Sequence, residues 1–190
     1  MSRLRKPSPP VETEAKIRVE SLSAVRRRLT AARARRLHSR TFETNTLYDS
    51  SGGALRSTGK AFRLRRYGKD AMVTLKGAAT VSAGLKSRVE LETSVGSFET
   101  FAGILQGVGL LPRFRYEKFR EVWMLGRTTV CLDETPLGAF IEIEGTAPSI
   151  HRIARQLGVD RRRFLSDSYP ALWAQAGRVG DMVFPVGKTA

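Results

Sequence analysis

Seven stretches between residues 11 and 144 alternate apolar residues with charged ones, in six of them glutamate, lysine or arginine, and few folds can accommodate both faces of such strands. Residues 11–19 (VETEAKIRV) set Val11, Thr13, Ala15, Ile17 and Val19 against Glu12, Glu14, Lys16 and Arg18. Residues 61–66 oppose Phe62 and Leu64 to Arg63 and Arg65, residues 72–76 oppose Val73 and Leu75 to Thr74 and Lys76, and residues 88–92 oppose Val89 and Leu91 to Arg88, Glu90 and Glu92. Lys118 and Arg120 share a register in 116–123, Thr129, Cys131 and Asp133 share one in 129–133, and 140–144 sets Ile141 and Ile143 against Glu142 and Glu144. Successive strand side chains point to opposite faces, so each stretch has one apolar and one charged face. Solvent-facing strand positions usually carry Thr, Ser or Tyr, because strands disfavour Glu, Lys and Arg. Repetition of the unfavourable choice points to an α+β protein. Its closed antiparallel β-barrel would carry amphipathic helices on its apolar outside and a hydrated charged bore within.

The expected bore holds seven bases (Lys16, Arg18, Arg63, Arg65, Lys76, Lys118, Arg120) and seven acids (Glu12, Glu14, Glu90, Glu92, Asp133, Glu142, Glu144), and is therefore close to neutral. Bases that hold phosphate oxygens beside carboxylates that hold divalent cations suit a polyphosphate–metal complex. Glutamates two residues apart lie about 7 Å apart on one strand face. Glu12/Glu14 and Glu142/Glu144 can thus each serve one cation or two neighbouring ones. The net charge of +15 must then sit outside the bore, on Arg26–Arg28, Arg33, Arg35, Arg36, Arg161–Arg163 and the N-terminal arm. It implies a polyanionic partner without choosing one.

At 190 residues a single domain is expected. Residues 1–10 read as a disordered basic arm, 11–176 as the folded domain and 177–190 as a loose tail. Helical spacing predicts helices over about 23–36 (Val25, Leu29, capped by Ser21 or Ser23), 97–108 (Phe98, Phe101, Ala102, Leu105, capped by Ser97), 149–157 (Ile150, Ile153, Leu157) and 169–176. No apolar run is long enough to span a bilayer and the start lacks a signal peptide's apolar segment, so a cytoplasmic location is expected and a membrane partner is not. One cysteine, Cys131, and two histidines exclude a Cys/His zinc site, leaving carboxylates for any metal. Cys131 is expected to pack in the core, and His38 (at a helix end) and His151 (on a helix) to lie on the surface. Gly107-Val108-Gly109 is expected to end a helix; it lacks the third glycine of a phosphate loop.

Glu12-Thr13-Glu14-Ala15-Lys16 resembles the ExExK signature of the CYTH superfamily, the triphosphate tunnel metalloenzymes. The order continues through Arg63/Arg65 (RxR), Lys76, Glu90/Glu92 (ExE), Lys118/Arg120 (KxR), Asp133 (LD) and Glu142/Glu144 (ExE), and the resemblance spans about residues 11–175. With Leu47-Tyr48-Asp49 and Ser168-Tyr169-Pro170-Ala171-Leu172, the layout is most similar to the bacterial class IV adenylyl cyclase-like group. Glu43 and Asn45 stand where that group often has Gln and Asp, and Asp167 where a basic residue is frequent. The resemblance implies an eight-stranded tunnel that depends on Mg²⁺ or Mn²⁺. It assigns metal binding to Glu12, Glu14, Asp133, Glu142 and Glu144, and triphosphate binding to Arg18, Arg63, Arg65, Lys76, Lys118 and Arg120. Lys16, with Glu12 and Glu14, would serve catalysis, and Glu90 and Glu92 would hold the bases in place.

Three functions compete. The first is hydrolysis of a small-molecule triphosphate (tripolyphosphate, ATP or thiamine triphosphate), and the second is cyclisation of ATP to cyclic AMP and pyrophosphate. The third is non-catalytic binding of RNA or polyphosphate, with nucleic acid the weakest of these partners. A homodimer is an allowed assembly.

Overall fold

The computed structural model describes residues 10–185 and 187; most of the expected basic arm lies outside them. The chain runs β1 (Val11–Val19), α1 (Leu22–Ala31), β2 (Arg35–Asp49), α2 (Ala54–Ser57), β3 (Ala61–Tyr67), β4 (Asp70–Lys76), β5 (Thr80–Ser82), β6 (Leu85–Val95), α3 (Phe98–Gly107), β7 (Leu111–Leu125), β8 (Thr128–Thr135), β9 (Gly138–Glu144), α4 (Ala147–Gln156), β10 (Phe164–Leu165) and α5 (Tyr169–Gln175). Eight strands close a barrel in the order β1-β9-β8-β7-β2-β3-β4-β6, shut by an antiparallel β1–β6 seam in which Val11 faces Val89 and Glu14 faces Lys86. β5 and β10 extend the sheet from β6 and β1. The α+β barrel expected from the alternation is the fold of the protein.

The apolar strand faces point outward and are covered by helices. Ile17, Val130, Leu132, Ile141 and Ile143 pack with Val25 and Leu29 of α1 and Ile150, Ile153 and Ala154 of α4. Tyr48, Leu64 and Val73 pack with Leu105, Phe98 and Phe101 of α3. The four longer helices begin on a hydroxyl that accepts a backbone N–H three residues on: Ser21 from Ala24, Ser97 from Thr100, Thr146 from Ser149 and Ser168 from Ala171. Tyr169 and Leu172 of α5 form another cluster with Tyr116, Phe140 and Met182 at the barrel interior.

Three sequence expectations are corrected. The first helix stops at Ala31 instead of continuing to residue 36, because Arg33 takes a left-handed φ of 57° and Ala34 N–H bonds back to the Leu29 carbonyl. Arg35, Arg36 and His38 therefore belong to β2, where exposed His38 meets Tyr67 edge-on at 5.9 Å. The 15-residue β2 had no counterpart among the expected strands. The segment after Gly177 is also not wholly loose. Met182 is fully buried and bridges in parallel to Tyr116, and the Phe184 ring lies 5.5 Å from that of Phe119.

The β5–β6 hairpin turns on Ala83 and Gly84, both at positive φ (50° and 78°). A Cβ on Gly84 would lie 2.9 Å from Phe164 Cβ. Gly84→Ala is expected to cost about 1–3 kcal/mol of stability, measured by urea unfolding.

Candidate active site

The charged faces surround one cavity of about 730 Å³, lined by twelve bases and seven acids. The lining is therefore cationic, not neutral as the sequence count suggested. Two further carboxylates, Glu43 and Asp133, are fully buried behind it.

At the β1–β9 wall, Glu14 stands directly across from Glu144, and carboxylate oxygens of Glu14, Glu142 and Glu144 lie within 4.8 Å of one another. Like charges facing across a ladder repel. Burial and the nearby Glu142, Glu14 and Glu12 accordingly raise the Glu144 carboxyl to about 7, although Arg120 opposes them. Hard oxygen donors that repel one another when ionised are the donor set a divalent cation stabilises, so these three residues fit a hard divalent cation. Glu12 lines the cavity nearby without joining the trio. Its pKa is raised by burial and by Glu90.

Deeper in the bore the bases are already committed. Asp133 accepts from Lys118 Nζ (2.8 Å), from Arg120 Nε and Nη2 (both 2.7 Å) and from the Tyr169 hydroxyl (2.7 Å). Asp133, expected as a metal ligand, does not line the cavity or join the acidic trio; its oxygens are occupied by this cradle. Arg120 also pairs with Glu142, whose other oxygen faces Lys16 Nζ at 3.2 Å. Lys16 donates to the Asp167 carbonyl (3.1 Å) and sits 4.4 Å from the centre of the Tyr169 ring. Glu43 Oε1 faces Lys118 at 3.4 Å and Arg65 at 3.9 Å and accepts from Asn45 Nδ2 at 3.0 Å. Those cations outweigh burial and hold Glu43 well below the usual carboxylate range.

On the adjoining β4–β6 wall, across the seam from β1, Lys76 Nζ bonds both oxygens of Glu90 (2.7 and 2.6 Å), and Arg88 Nε bonds Glu90 Oε1 at 2.8 Å. Arg63 Nη2 donates to Thr74 Oγ1 (3.0 Å) and Glu92 Oε2 (3.2 Å), while its buried Nε has no protein partner among the described residues. Burial, with Arg63 and Arg88 adjacent, pulls the Lys76 ammonium down to about 7 against the lift from Glu90. Arg65 lines the cavity and donates to Asn45 Oδ1 at 3.2 Å.

Arg18, expected to bind substrate, is outside the cavity. It is exposed, donates to the Leu137 carbonyl at 2.9 Å and covers the Phe140 ring at 4.8 Å. Conversely, Lys86, Arg88, Glu43, Asn45 and Tyr169 belong to the site or its support but were not among the expected site residues. Lys86 was detectable, because Lys86, Arg88, Glu90 and Glu92 continue one alternation once the strand is begun at Leu85. Cys131 is buried, and burial pushes its thiol well up, as suits a packing role. His151 stacks on Phe164 at 5.7 Å. Arg26 of α1 and Arg36 of β2 both pair with buried Glu121, which also accepts from Trp123 Nε1 at 3.0 Å.

A closed barrel with carboxylates and bases converging on one bore defines a class of triphosphate-processing enzymes. The CYTH domain family matches residues 11–168, and the chain belongs to that family. Among solved structures it is similar to an adenylate cyclase candidate from Vibrio parahaemolyticus (19% identity, TM-score 0.77, covering 88% of this chain and 99% of that one). A Pyrococcus horikoshii protein matches with 22% identity and TM-score 0.71 over 87% of this chain and 99% of its own. A Hippeastrum adenylyl cyclase candidate described as having a dominant triphosphatase activity matches with 19% identity and TM-score 0.60 over 88% and 97%. At these identities the likeness is one of fold. No match is found among curated protein sequences. No described helix is long and apolar enough to cross a membrane.

Proposed function

We propose that this chain hydrolyses a triphosphate, inorganic or organic, in the cytoplasm, using Mg²⁺ or Mn²⁺. The observation that carries the reading is the acidic trio Glu14, Glu142 and Glu144 sharing one cavity with a bank of bases. When bound, a divalent cation neutralises phosphate oxygens and activates water. The protein's own groups supply the rest. Arg63, Arg65, Lys76, Lys86 and Arg88 hold the phosphate oxygens and absorb the charge that moves to the leaving oxygen. Lys16 and Arg120 fix Glu142 from two sides, and Glu90 and Glu92 orient Lys76, Arg88 and Arg63. Water adds to the terminal phosphorus as the bridging P–O bond breaks. The electron pair leaves with the departing phosphate, and one proton passes to solvent or to a carboxylate of the trio.

Cyclisation of ATP would use the same walls but also requires a subsite that brings the ribose 3′-hydroxyl to the α-phosphate. Hydrolysis needs no such subsite, and the Hippeastrum neighbour's described activity favours it. Incubation with Mn²⁺ or Mg²⁺ and tripolyphosphate, ATP or thiamine triphosphate separates the two. Orthophosphate release supports hydrolysis, whereas cyclic AMP with pyrophosphate from ATP overturns it in favour of the cyclase.

Lys76 gives this reading a pH dependence. Its folded pKa of about 7 lies below the ordinary lysine value, so its grip is present below pH 7 and fades as the ammonium loses its proton above it. The KM for tripolyphosphate is expected to rise about fivefold between pH 7 and 8. Lys76→Arg, whose side chain stays charged, should flatten the rise.

A further inference from the structure

Arginines that carry the excess charge outside the bore gather on one outer face. α1 ends at Ala31, Arg33 and Arg35 follow it closely, and Arg35 faces Met124 at the C-terminal end of β7. Leu125 pairs with Thr128, so the Gly126-Arg127 turn stands beside the start of β2. Arg28 of α1 donates to the Leu157 carbonyl just past α4, whose last turn carries Arg155. Ala34, Leu125 and Val159 pack against one apolar cluster, which holds these three segments together. Arg28, Arg33, Arg35, Arg127 and Arg155 are exposed, form no ion pair among the described residues and do not line the cavity. Nearby carboxylates are already engaged, Glu121 by Arg26 and Arg36 and Asp160 by Arg162. No acid occurs between Glu20 and Glu43, and every base in residues 22–37, 126–128 and 147–163 is arginine.

The favourable field at a helix C-terminus accounts for Arg28 and Arg155. It does not account for Arg35 and Arg127, which add only repulsion, or for Arg33, whose left-handed φ of 57° glycine adopts more freely. Unmatched guanidinium groups fixed on a folded face suit an array of phosphate oxygens. A single strand of nucleic acid would also need aromatic side chains for its bases to stack on, and the same three segments contain no Phe, Trp or Tyr. A membrane-binding face would pair its bases with exposed large apolar side chains, whereas Leu91 and Ile104, which are of that kind, lie on β6 and α3. We propose that this arginine face binds the sugar–phosphate backbone of duplex nucleic acid, RNA or DNA, without regard to base sequence and independently of the bore.

Fluorescence anisotropy with the full chain tests this, using duplex DNA, duplex RNA and single strands of the same length, beside sedimentation with phosphatidylglycerol vesicles. Wild type is expected to bind the duplexes about fivefold or more tighter than the single strands, with affinity falling steeply as salt rises. Arg33→Gly/Arg35→Ala/Arg127→Ala should weaken duplex binding about tenfold or more and reduce the slope of log K against log salt by about 2–3. Arg127→Ala alone, confined to an exposed turn, should weaken it about twofold to threefold, which guards against a folding defect in the triple variant. Arg56→Ala/Lys60→Ala/Arg113→Ala removes as much charge from exposed bases around the cavity and should change duplex affinity by less than about threefold. A tighter duplex RNA or duplex DNA identifies which one supplies the backbone, and equal affinity means that both do. Absence of duplex binding, equal losses in the two triple variants, or single strands held as tightly as duplexes would overturn the proposal. Vesicle binding that the first triple variant abolishes while its duplex affinity stays at the wild-type level would overturn it in favour of a membrane surface.

Discussion

Glu144→Gln is expected to lower kcat on tripolyphosphate by about a thousandfold while leaving the barrel folded. Glu144 forms no ion pair with a described residue, sits opposite Glu14 and is raised to about 7 by burial and by its acidic neighbours. Glutamine keeps its shape and removes its charge. Without metal the variant should therefore unfold at the same temperature as wild type or higher, because a repulsion is gone. With Mn²⁺, wild type should gain stability in proportion to binding, and the variant should lose most of that gain. Glu142→Gln offers a contrast. It should also inactivate, but at a cost in stability, since Arg120 and Lys16 lose their shared partner. Wild-type turnover in both variants would show that the trio does not serve the reaction.

Asp133→Asn should act mainly on stability. The wild-type carboxylate is fully buried and receives four hydrogen bonds, three of them from cations. An amide cannot neutralise Lys118 and Arg120, and its NH₂ would point a donor at donors. Breaking a buried charge cluster from one side costs about 3–5 kcal/mol, or roughly 6–20 °C in Tm for a chain of this size. Urea and thermal unfolding measure the loss directly. The alternative from sequence, that Asp133 ligates metal, predicts unchanged stability with the Mn²⁺ activation curve moved far to higher concentration. That outcome would reverse the assignment.

The difference between these two acids shows what could be read from the sequence. Alternation places a side chain on the inner face of a strand, and Glu12, Glu14, Lys16, Arg63, Arg65, Lys76, Glu142 and Glu144 all line the cavity where that rule puts them. Alternation does not report depth along the bore. Asp133 and Arg18 obey the same periodicity, yet Asp133 is buried behind Lys118 and Arg120, and Arg18 lies beyond the cavity, over the Phe140 ring. β2 escaped detection because its pairing with β7 shifts register between Arg36 and His38, between His38 and Thr41, and between Leu47 and Tyr48. Its outward positions Thr44 and Thr46 also lack the apolar signal that marks the other strands. With β2 went Glu43 and Asn45, the acid and amide that support Lys118 and Arg65. The packing of Met182 and Phe184 was equally hidden, since a single bridge and isolated apolar residues carry no period.

The seam of the barrel ties synthesis order to chemistry. β1 is made before the other strands, yet its two partners within the barrel, β6 and β9, are completed only by residues 95 and 144. Glu14 therefore waits for nearly the whole domain before it meets Glu142 and Glu144, and ring closure and assembly of the acidic trio become one late event. A cation captured there would act as a latch on the finished ring, and its occupancy would report that the last pair of strands has joined.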